Sequence, residues 1–150
     1  MSEEHLSEEY LLESFFHLML AVKRQLHQQA EQLDLEVTPM HLRVIKIIDR
    51  KQPCTAIDIA SFLGRDKAQV TRLINALIDQ ELISKAPNPN DKRSQYLLTT
   101  ERGVAVVEEL NRMDECIVQR MTKGLQPSER AEFQRLARLM AGNFQGEEQS

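Results

Sequence analysis

The spacing of apolar residues predicts a chain of helices interrupted by one short β-hairpin. Along most of the sequence, apolar side chains return every three or four positions, as they do on one face of an amphipathic helix. The pattern changes between residues 82 and 99, where two strand-like runs flank a segment rich in proline and asparagine, which is a strong turn signal. The predicted elements are helices at 8–33, 39–50, 56–62, 67–80, 100–123 and 127–142, and strands at 82–86 and 95–99.

Residues with strong capping preferences stand at the ends of several predicted helices. Thr38 precedes a proline, and Thr55 and Asp66 each come directly before a helical run, so all three are expected to be N-caps. Gly64 and Gly124 follow such runs, where a residue with positive φ commonly ends a helix. The capping residues therefore agree with the boundaries that the apolar spacing predicts.

The order of the middle elements indicates a winged helix-turn-helix. Three short helices followed by a β-hairpin occupy residues 38–99, and long helices flank them at 8–36 and 100–143. The expected fold class is mainly α with a small β-hairpin wing. The long N- and C-terminal helices lie on either side of the winged helix-turn-helix over 38–99, which we call the reader. A length of 150 residues fits a single domain over 1–150.

In this fold the segment 67–80 is the recognition helix, and its exposed face suits the major groove of DNA. Its apolar face is centred between Leu73 and Ile74, so the opposite face carries small, polar and basic side chains. Arg72 is suited to a bidentate contact with guanine or to a phosphate, and the free N–H groups at the helix start favour a phosphate. The candidate DNA-binding residues here are Arg65, Lys67, Ala68, Gln69, Thr71, Arg72 and Asn75.

The predicted hairpin tip supplies a second group of candidate DNA-binding residues, which are Asp91, Lys92 and Arg93. An arginine at such a tip can enter a narrow minor groove, where the negative potential is enhanced. We expect Asp91 to orient Arg93 or a neighbouring basic side chain rather than to contact DNA itself. An ordinary solvated surface is the alternative interpretation, since any pair of helices can resemble a helix-turn-helix.

Charge is spread unevenly, which the net charge of −4 conceals. Residues 1–36 carry −6, residues 37–103 carry +4 and residues 104–150 carry −2. A basic middle between acidic ends is expected if only the middle faces nucleic acid. Variation along a solvated surface would also give an excess of this size.

Composition and motifs argue against several classes of protein. The chain has only two cysteines, Cys54 and Cys116, which fits a reduced cytosolic setting. No apolar run approaches the length of a membrane span, and the acidic N-terminus is unlike a signal peptide, so we expect a cytoplasmic protein without a membrane partner. Motifs for catalysis or cofactor binding are lacking, and the scattered histidines predict no metal site.

The middle of the chain resembles the MarR family of bacterial regulators, in its MarR/SlyA-like winged helix-turn-helix form. The element order is similar over about residues 8–143, and the motif-level similarity lies within 38–103. The matching segments are TPMHLRVIKII, CTAIDIASFLG, RDKAQVTRLINALIDQELI and NPNDKRSQYLLTTERG, of which the wing DKRS followed by YLLTTERG is the most specific. The resemblance matches Arg72 with the family's recognition-helix arginine and Arg93 with its wing arginine. It implies a homodimer that reads a pseudo-palindromic operator in double-stranded DNA, often as a repressor released by a small ligand.

Physical reasoning also favours a dimer, because the wide apolar stripes of the flanking helices need cover. We expect 8–36 and 100–143 to be dimerisation helices, with a closed monomeric core as the alternative.

By resemblance, an aromatic or phenolic effector would bind between these helices and the reader. Phenylalanine and methionine at helical spacing are more often core residues, but the candidate lining residues are Phe15, Phe16, Met19, His41, Ile45 and Met113.

Other functions remain open on the sequence. The regulator could act without a ligand, or it could respond to oxidation, since Cys54 directly precedes a helix start, where the pKa of a thiol can fall. A small half-buried residue at a turn is the simpler interpretation of Cys54. The winged helix could instead dock proteins without specific DNA binding. A steep dependence of binding on salt would distinguish DNA from a protein partner on an apolar patch.

Overall fold

The computed structural model describes residues 8–147 and confirms a mainly helical fold with a small wing. The chain divides into two compact units, one up to Met113 and one from Asp114 onward. The single domain over 1–150 stays a prediction. The helices are α1 (Glu8–Gln32), α2 (Pro39–Lys51), α3 (Ala56–Leu63), α4 (Lys67–Asp79), α5 (Glu101–Met121) and α6 (Pro127–Glu147), and the strands are β1 (Ile83–Pro87) and β2 (Gln95–Thr99).

The first strand begins one residue later than predicted, and the reason lies in Leu82. Its main-chain N–H donates to the Leu77 carbonyl at 3.0 Å, which closes the end of α4. Its carbonyl accepts from the N–H of Thr100 at 3.2 Å. Both main-chain groups of Leu82 are thus used outside the hairpin, so strand pairing begins with Ile83 opposite Thr99.

α2 begins with a reciprocal cap that the sequence pattern did not reveal. The hydroxyl of Thr38 accepts a hydrogen bond from the main-chain N–H of His41 at 3.4 Å. In return, Nδ1 of His41 accepts one from the main-chain N–H of Thr38 at 2.9 Å. His41 thus takes the position that glutamate or glutamine usually holds in a capping box. Thr38 is confirmed as the N-cap, and the His41 side chain belongs to the start of α2.

α3 and α4 form the helix-turn-helix, and their ends follow the predicted pattern. Thr55 and Asp58 form a capping box at the start of α3. Gly64 ends that helix at φ +63°, a conformation that glycine adopts without steric cost. Asp66 then caps α4 by accepting from the N–H of Gln69 at 2.9 Å. The turn is short because each of these ends is satisfied locally.

The hydrophobic core of the first unit is built around α2. Three of its residues, Val44, Ile45 and Ile48, have no exposed surface. Burying each such side chain contributes roughly 1.5–3 kcal/mol. Residues from α3, α4, the hairpin and α5 complete the core, and they include Ile59, Val70, Ile74, Leu77, Leu82, Ile83, Leu97, Val107 and Leu110.

The wing is an antiparallel hairpin that is tied to the end of α2. Lys85 pairs with Leu97 in the hairpin register. Leu97 also donates its N–H to the carbonyl of Cys54 at 2.8 Å, and Oε1 of Gln52 accepts from the N–H of Thr99 at 3.2 Å. These bonds to the segment after α2 hold the second strand against the core.

The main chain beside Leu82 approaches α5 so closely that a side chain at Gly103 would not fit. A Cβ atom built on Gly103 would lie 2.0 Å from the carbonyl oxygen of Leu82. Thr100 supports this approach, because its hydroxyl donates to the Glu81 carbonyl at 2.7 Å and accepts from the N–H of Gly103 at 3.0 Å. The end of α4, the base of the wing and the start of α5 are therefore held together.

Large apolar side chains are exposed on both α1 and α6. Residues 8–21 of α1 are all exposed, with Leu12 at 57% and Phe15 at 58%. Burial becomes strong only near the end of α1, at Gln29 and Ala30. Within the described part of the chain, no helix combines the length and apolar character that a membrane crossing needs. On α6 the exposed apolar residues are Phe133, Leu136, Leu139, Met140 and Phe144.

Replacing Gly103 with alanine is expected to destabilise the protein by about 3 kcal/mol, because the new methyl group overlaps a backbone oxygen. Gly142→Ala is the matched control, since open space surrounds Gly142 within α6. Alanine there should stabilise the helix by up to about 1 kcal/mol. Urea unfolding measures both effects. A Gly103→Ala variant as stable as the parent would contradict the close approach.

The stability of the protein is expected to fall below about pH 6.5 through His41. Burial lowers the pKa of His41 below its usual value of 6.5, so below that pH the unfolded chain binds more protons than the folded one. The contribution of His41 to the free energy of unfolding is complete above pH 6.5 and is lost as the pH falls through the pKa of His41 in the folded state. Thermal midpoints measured between about pH 7.5 and about pH 5.5 test this. His41→Gln, which can still cap α2, should lose less stability over that range, and equal losses would refute the assignment.

Candidate nucleic-acid interface

α4 separates a buried apolar face from an exposed polar one, as the sequence predicted. Val70, Ile74 and Leu77 face the core, and Leu73 is half-buried. Thr71 donates its hydroxyl to the Lys67 carbonyl at 2.8 Å, one turn back along the helix. The opposite face is exposed and mostly polar, and its residues are Lys67, Ala68, Gln69, Thr71, Arg72, Asn75 and Asp79.

The turn before α4 adds one more basic residue to this surface. Arg65 is exposed, and its main-chain N–H donates to the Ala60 carbonyl at 3.1 Å. That bond belongs to the αL turn at Gly64 and fixes the main chain of Arg65 just before the cap at Asp66. The Asp66 carboxylate itself accepts from the helix start, so it already satisfies one of the free N–H groups there.

The wing loop is shaped by two side chains that bond to the main chain two residues ahead. Oδ1 of Asn88 accepts from the N–H of Asn90 at 3.0 Å, and Oδ1 of Asp91 accepts from the N–H of Arg93 at 2.9 Å. Such Asx turns are typical of asparagine and aspartate in loops. Of the two expected roles of Asp91, the structure shows contact with Arg93, through the main-chain N–H of that residue.

A cleft of about 240 Å³ lies between α4 and the wing. It brings together five of the predicted DNA-binding residues, although α4 and the wing loop are distant in sequence. The remaining five, Arg65, Ala68, Gln69, Arg72 and Asp91, are exposed but do not line the cleft. The predicted residues that line it are Lys67, Thr71 and Asn75 from α4, and Lys92 and Arg93 from the wing.

Lys85 also lines this cleft, and sequence reasoning missed it. It lies on β1 opposite Leu97, two residues after the buried Ile83. Because side chains alternate between the faces of a strand, Lys85 lies on the same face as Ile83, which is turned towards the protein. The period of two in this strand could have identified it, had the face been assigned from Ile83.

The cleft is basic in a chain that is acidic overall. Four of its lining residues are lysine or arginine, namely Lys67, Lys85, Lys92 and Arg93, and none of the described residues that line it is acidic. The polar side chains of Thr71, Asn75, Ser94 and Gln95 and the apolar ones of Ala56, Ile57, Ile74 and Leu97 complete the lining. The arrangement offers hydrogen-bond donors and positive charge to an anionic partner that is long enough to contact both α4 and the wing.

Comparison with known proteins finds one family that resembles the middle of the chain. Residues 37–95 match the model of the MarR family, a span that covers most of the helix-turn-helix and the wing. The matched segment, residues 37–95, is similar to the MarR family. It contains the whole of α4 and the wing loop.

Individual relatives agree with this assignment. MarR of Escherichia coli (strain K12), a multiple antibiotic resistance protein, is 27% identical over 103 residues, which cover 68% of this chain and 72% of that protein. The transcriptional repressor IacR of Pseudomonas putida is 27% identical over 139 residues, 89% of this chain and 80% of IacR. A solved structure of a cysteine-to-serine variant of E. coli MarR with operator DNA has a TM-score of 0.76 and 25% identity, covering 93% of this chain and 99% of that one. Relatives such as IacR are named as regulators of transcription rather than as enzymes.

A second concave surface lies beside α1. It is an apolar groove of about 570 Å³ between α1 and the start of α2. Lys23 and His27 are its polar side chains apart from the cap residue Thr38, and the other lining residues are Phe15, Leu18, Met19, Val22, Leu26, Pro39 and Met40.

Two of the six predicted effector residues, Phe15 and Met19, line this groove. Phe16 is exposed, with its ring centroid 6.1 Å from that of Phe15. His41 caps α2, and Ile45 is a fully buried core residue. The sixth, Met113, is half-buried in α5 and also lies outside the groove lining.

The environment of Cys54 does not favour a reactive thiolate. Cys54 is buried, and its pKa is raised, first by burial and then by the negative charge of Asp58, against a smaller opposing effect of Lys51. Cys116 is free and exposed. Over the described residues, no group of three or more histidine, cysteine, aspartate or glutamate side chains could hold a metal ion.

Proposed function

We propose that this protein is a homodimeric, sequence-specific DNA-binding regulator that acts in the cytoplasm. In this proposal it represses transcription, and a small aromatic or phenolic ligand lowers its affinity for the operator. The observation that carries the proposal is the basic cleft, where the recognition helix α4 and the wing present Lys67, Lys85, Lys92 and Arg93 together.

The exposed face of α4 suits the major groove of a DNA duplex. The side chains on it are small, polar or basic, and a groove about 12 Å wide admits a helix with such a surface. Arg72 binds a guanine edge or a phosphate, and Gln69 and Asn75 offer paired donor and acceptor groups to adenine. Arg93, held by the Asx turn at Asp91, enters the adjacent minor groove.

The lysines of the cleft bind the phosphate backbone. Lys67 and Lys85 lie on its opposite sides, one on α4 and one on β1, so a phosphate between them meets charge from both elements. Phosphate contacts position a protein on DNA and add affinity without selecting a sequence. Lys85 therefore contributes to affinity and salt dependence, while Arg72 contributes to base preference.

The dimer follows from the apolar residues that the single chain exposes. The first half of α1 and much of α6 carry large exposed apolar side chains, and a second copy of the chain would remove them from water. In the proposal, residues 8–36 and 100–143 supply the dimerisation helices and 38–99 the reader, within one MarR-like domain. Two readers about 34 Å apart would meet successive major grooves on one side of the duplex.

The effector binds in the apolar groove beside α1, where the polar groups of Lys23 and His27 suit an acidic or phenolic substituent on an aromatic ring. Binding there changes operator affinity only if the groove differs between the DNA-bound and free arrangements. Repression is the simplest output, and the name of the relative IacR supports it. Titration of the operator complex with benzoate or phenol tests this part, and an unchanged complex at saturating ligand would count against it.

Selection of bound sequences from a random duplex library provides the operator, and variants then test the site. Arg93→Ala and Arg72→Ala are each expected to weaken operator binding by roughly 1–3 kcal/mol, and Arg72→Ala also relaxes base preference. Lys85→Ala should weaken binding to all duplex sequences by a similar factor. It should also reduce the magnitude of the slope of log binding constant against log salt concentration by about 0.9. Fluorescence anisotropy at several salt concentrations measures each quantity.

Arg24→Ala is the matched control for these variants, since Arg24 is an exposed arginine on α1, outside the cleft. Its operator affinity should equal that of the parent protein. If no sequence is enriched and binding shows a shallow salt slope, the DNA-binding proposal fails and a protein-docking role of the winged helix takes its place.

Phe15→Glu is expected to disrupt the dimer, because it places a charge on the exposed apolar face of α1. Gln28→Glu adds the same charge to the same helix at an exposed polar position and should leave the dimer intact. Sedimentation velocity across a range of concentrations measures the association. A Phe15→Glu variant that dimerises as tightly as the parent would exclude this face from the interface.

A further inference from the structure

The side chain at the end of the recognition helix links this helix to a distant part of the chain. Gln80, the C-cap of α4, accepts a hydrogen bond at Oε1 from the main-chain N–H of Glu36 at 3.1 Å. Its Nε2 atom donates to the main-chain carbonyl of Glu36 at 2.9 Å. Both polar atoms of one side chain are thus bonded to one residue that lies 44 positions away in sequence.

A pair of hydrogen bonds from one side chain constrains rotation as well as distance. A single hydrogen bond lets its partners pivot, whereas two bonds from one planar amide to the N–H and C=O of one residue fix their relative orientation. Gln80 is half-buried and Glu36 is exposed, so the link lies near the surface. The link therefore holds the end of α4 in a set orientation against the linker that contains Glu36.

The link joins the two parts whose relative position matters most for DNA binding. Glu36 lies in the linker between α1 and α2, and α1 is the helix that is proposed to form the dimer. Gln80 ends the recognition helix. The next residue, Glu81, has a positive φ of 60°, and the carbonyl of Glu81 accepts a hydrogen bond from the Thr100 hydroxyl at 2.7 Å. The wing base is therefore attached to the same point.

We propose that Gln80 is a positioning residue that fixes the recognition helix relative to the α1–α2 linker and thereby restricts the half-site spacing that the dimer accepts. This inference rests on the proposed function, since it requires two readers on one duplex. In a dimer held together through α1, the orientation of each reader relative to α1 sets the separation of the two recognition helices. Loss of the Gln80 link would let each reader pivot while its DNA-contacting side chains stay unchanged.

Half-site spacing provides a readout that a general loss of stability would not change. Adding one base pair between half-sites moves them apart by about 3.4 Å and rotates them by about 35°. A rigid pair of readers cannot follow both changes. We expect the parent protein to lose at least about tenfold in affinity for operators lengthened or shortened by one base pair.

Gln80→Met tests the link, because methionine has a similar length but cannot replace either hydrogen bond. The affinity of Gln80→Met for the operator with the best spacing should stay within about threefold of that of the parent. When one base pair is added or removed, the affinity of this variant should fall by less than about threefold. Ile48→Val is the matched control, since it removes one buried methyl group from the core and leaves the link in place. It should keep the spacing profile of the parent.

An unchanged spacing profile in Gln80→Met, or an equally broadened one in Ile48→Val, would overturn the inference. Hydrogen exchange provides a readout without DNA, since the amide of Glu36 should exchange faster in Gln80→Met while amides inside α4 keep their protection. If the parent itself binds no duplex, or binds all spacings equally, the paired-reader function fails and this inference fails with it. The exchange result would then still show whether the link exists.

Discussion

The main chain of Leu82 is the point on which the arrangement of the first unit depends. Its N–H closes the end of the recognition helix on Leu77, and its carbonyl accepts from Thr100 at the start of α5. The same carbonyl lies so close to Gly103 that α5 could not approach if that residue had a side chain. Three elements therefore meet at one residue, and none can shift without breaking a main-chain hydrogen bond or separating the packed backbones.

This junction explains how a small wing keeps a defined position beside α4. A two-stranded hairpin is only marginally stable by itself. Here its base is held at Leu82, and its second strand is bonded to the segment after α2 through Cys54 and Gln52. The core around Ile45 and Ile48 supports both anchors. The basic cleft is thus lined by elements whose separation is set by backbone contacts rather than by flexible side chains.

The distribution of charge and apolar surface assigns different tasks to different parts of the chain. Acidic residues prevail in residues 1–36, whereas the described residues lining the cleft are basic or uncharged. The large exposed apolar side chains of α1 and α6 are not among the residues that line the cleft, although the exposed Ile57 of α3 is. The residues suited to an anionic partner therefore differ from those suited to a second copy, and two hydrogen bonds between Gln80 and Glu36 tie the end of α4 to the linker that follows α1.

The sequence by itself determined the helices, their caps and the exposed face of α4, because these depend on contacts between residues three or four apart. Thr55, Gly64 and Asp66 could be assigned for that reason, whereas the His41 cap was missed because histidine rarely fills that position. Only the tertiary structure decided that Lys85 joins the cleft, that Ile45 belongs to the core and that Gln80 bonds to Glu36. Those contacts depend on how helices and strands pack against each other, and local spacing does not specify the distance or angle between elements that are far apart in sequence.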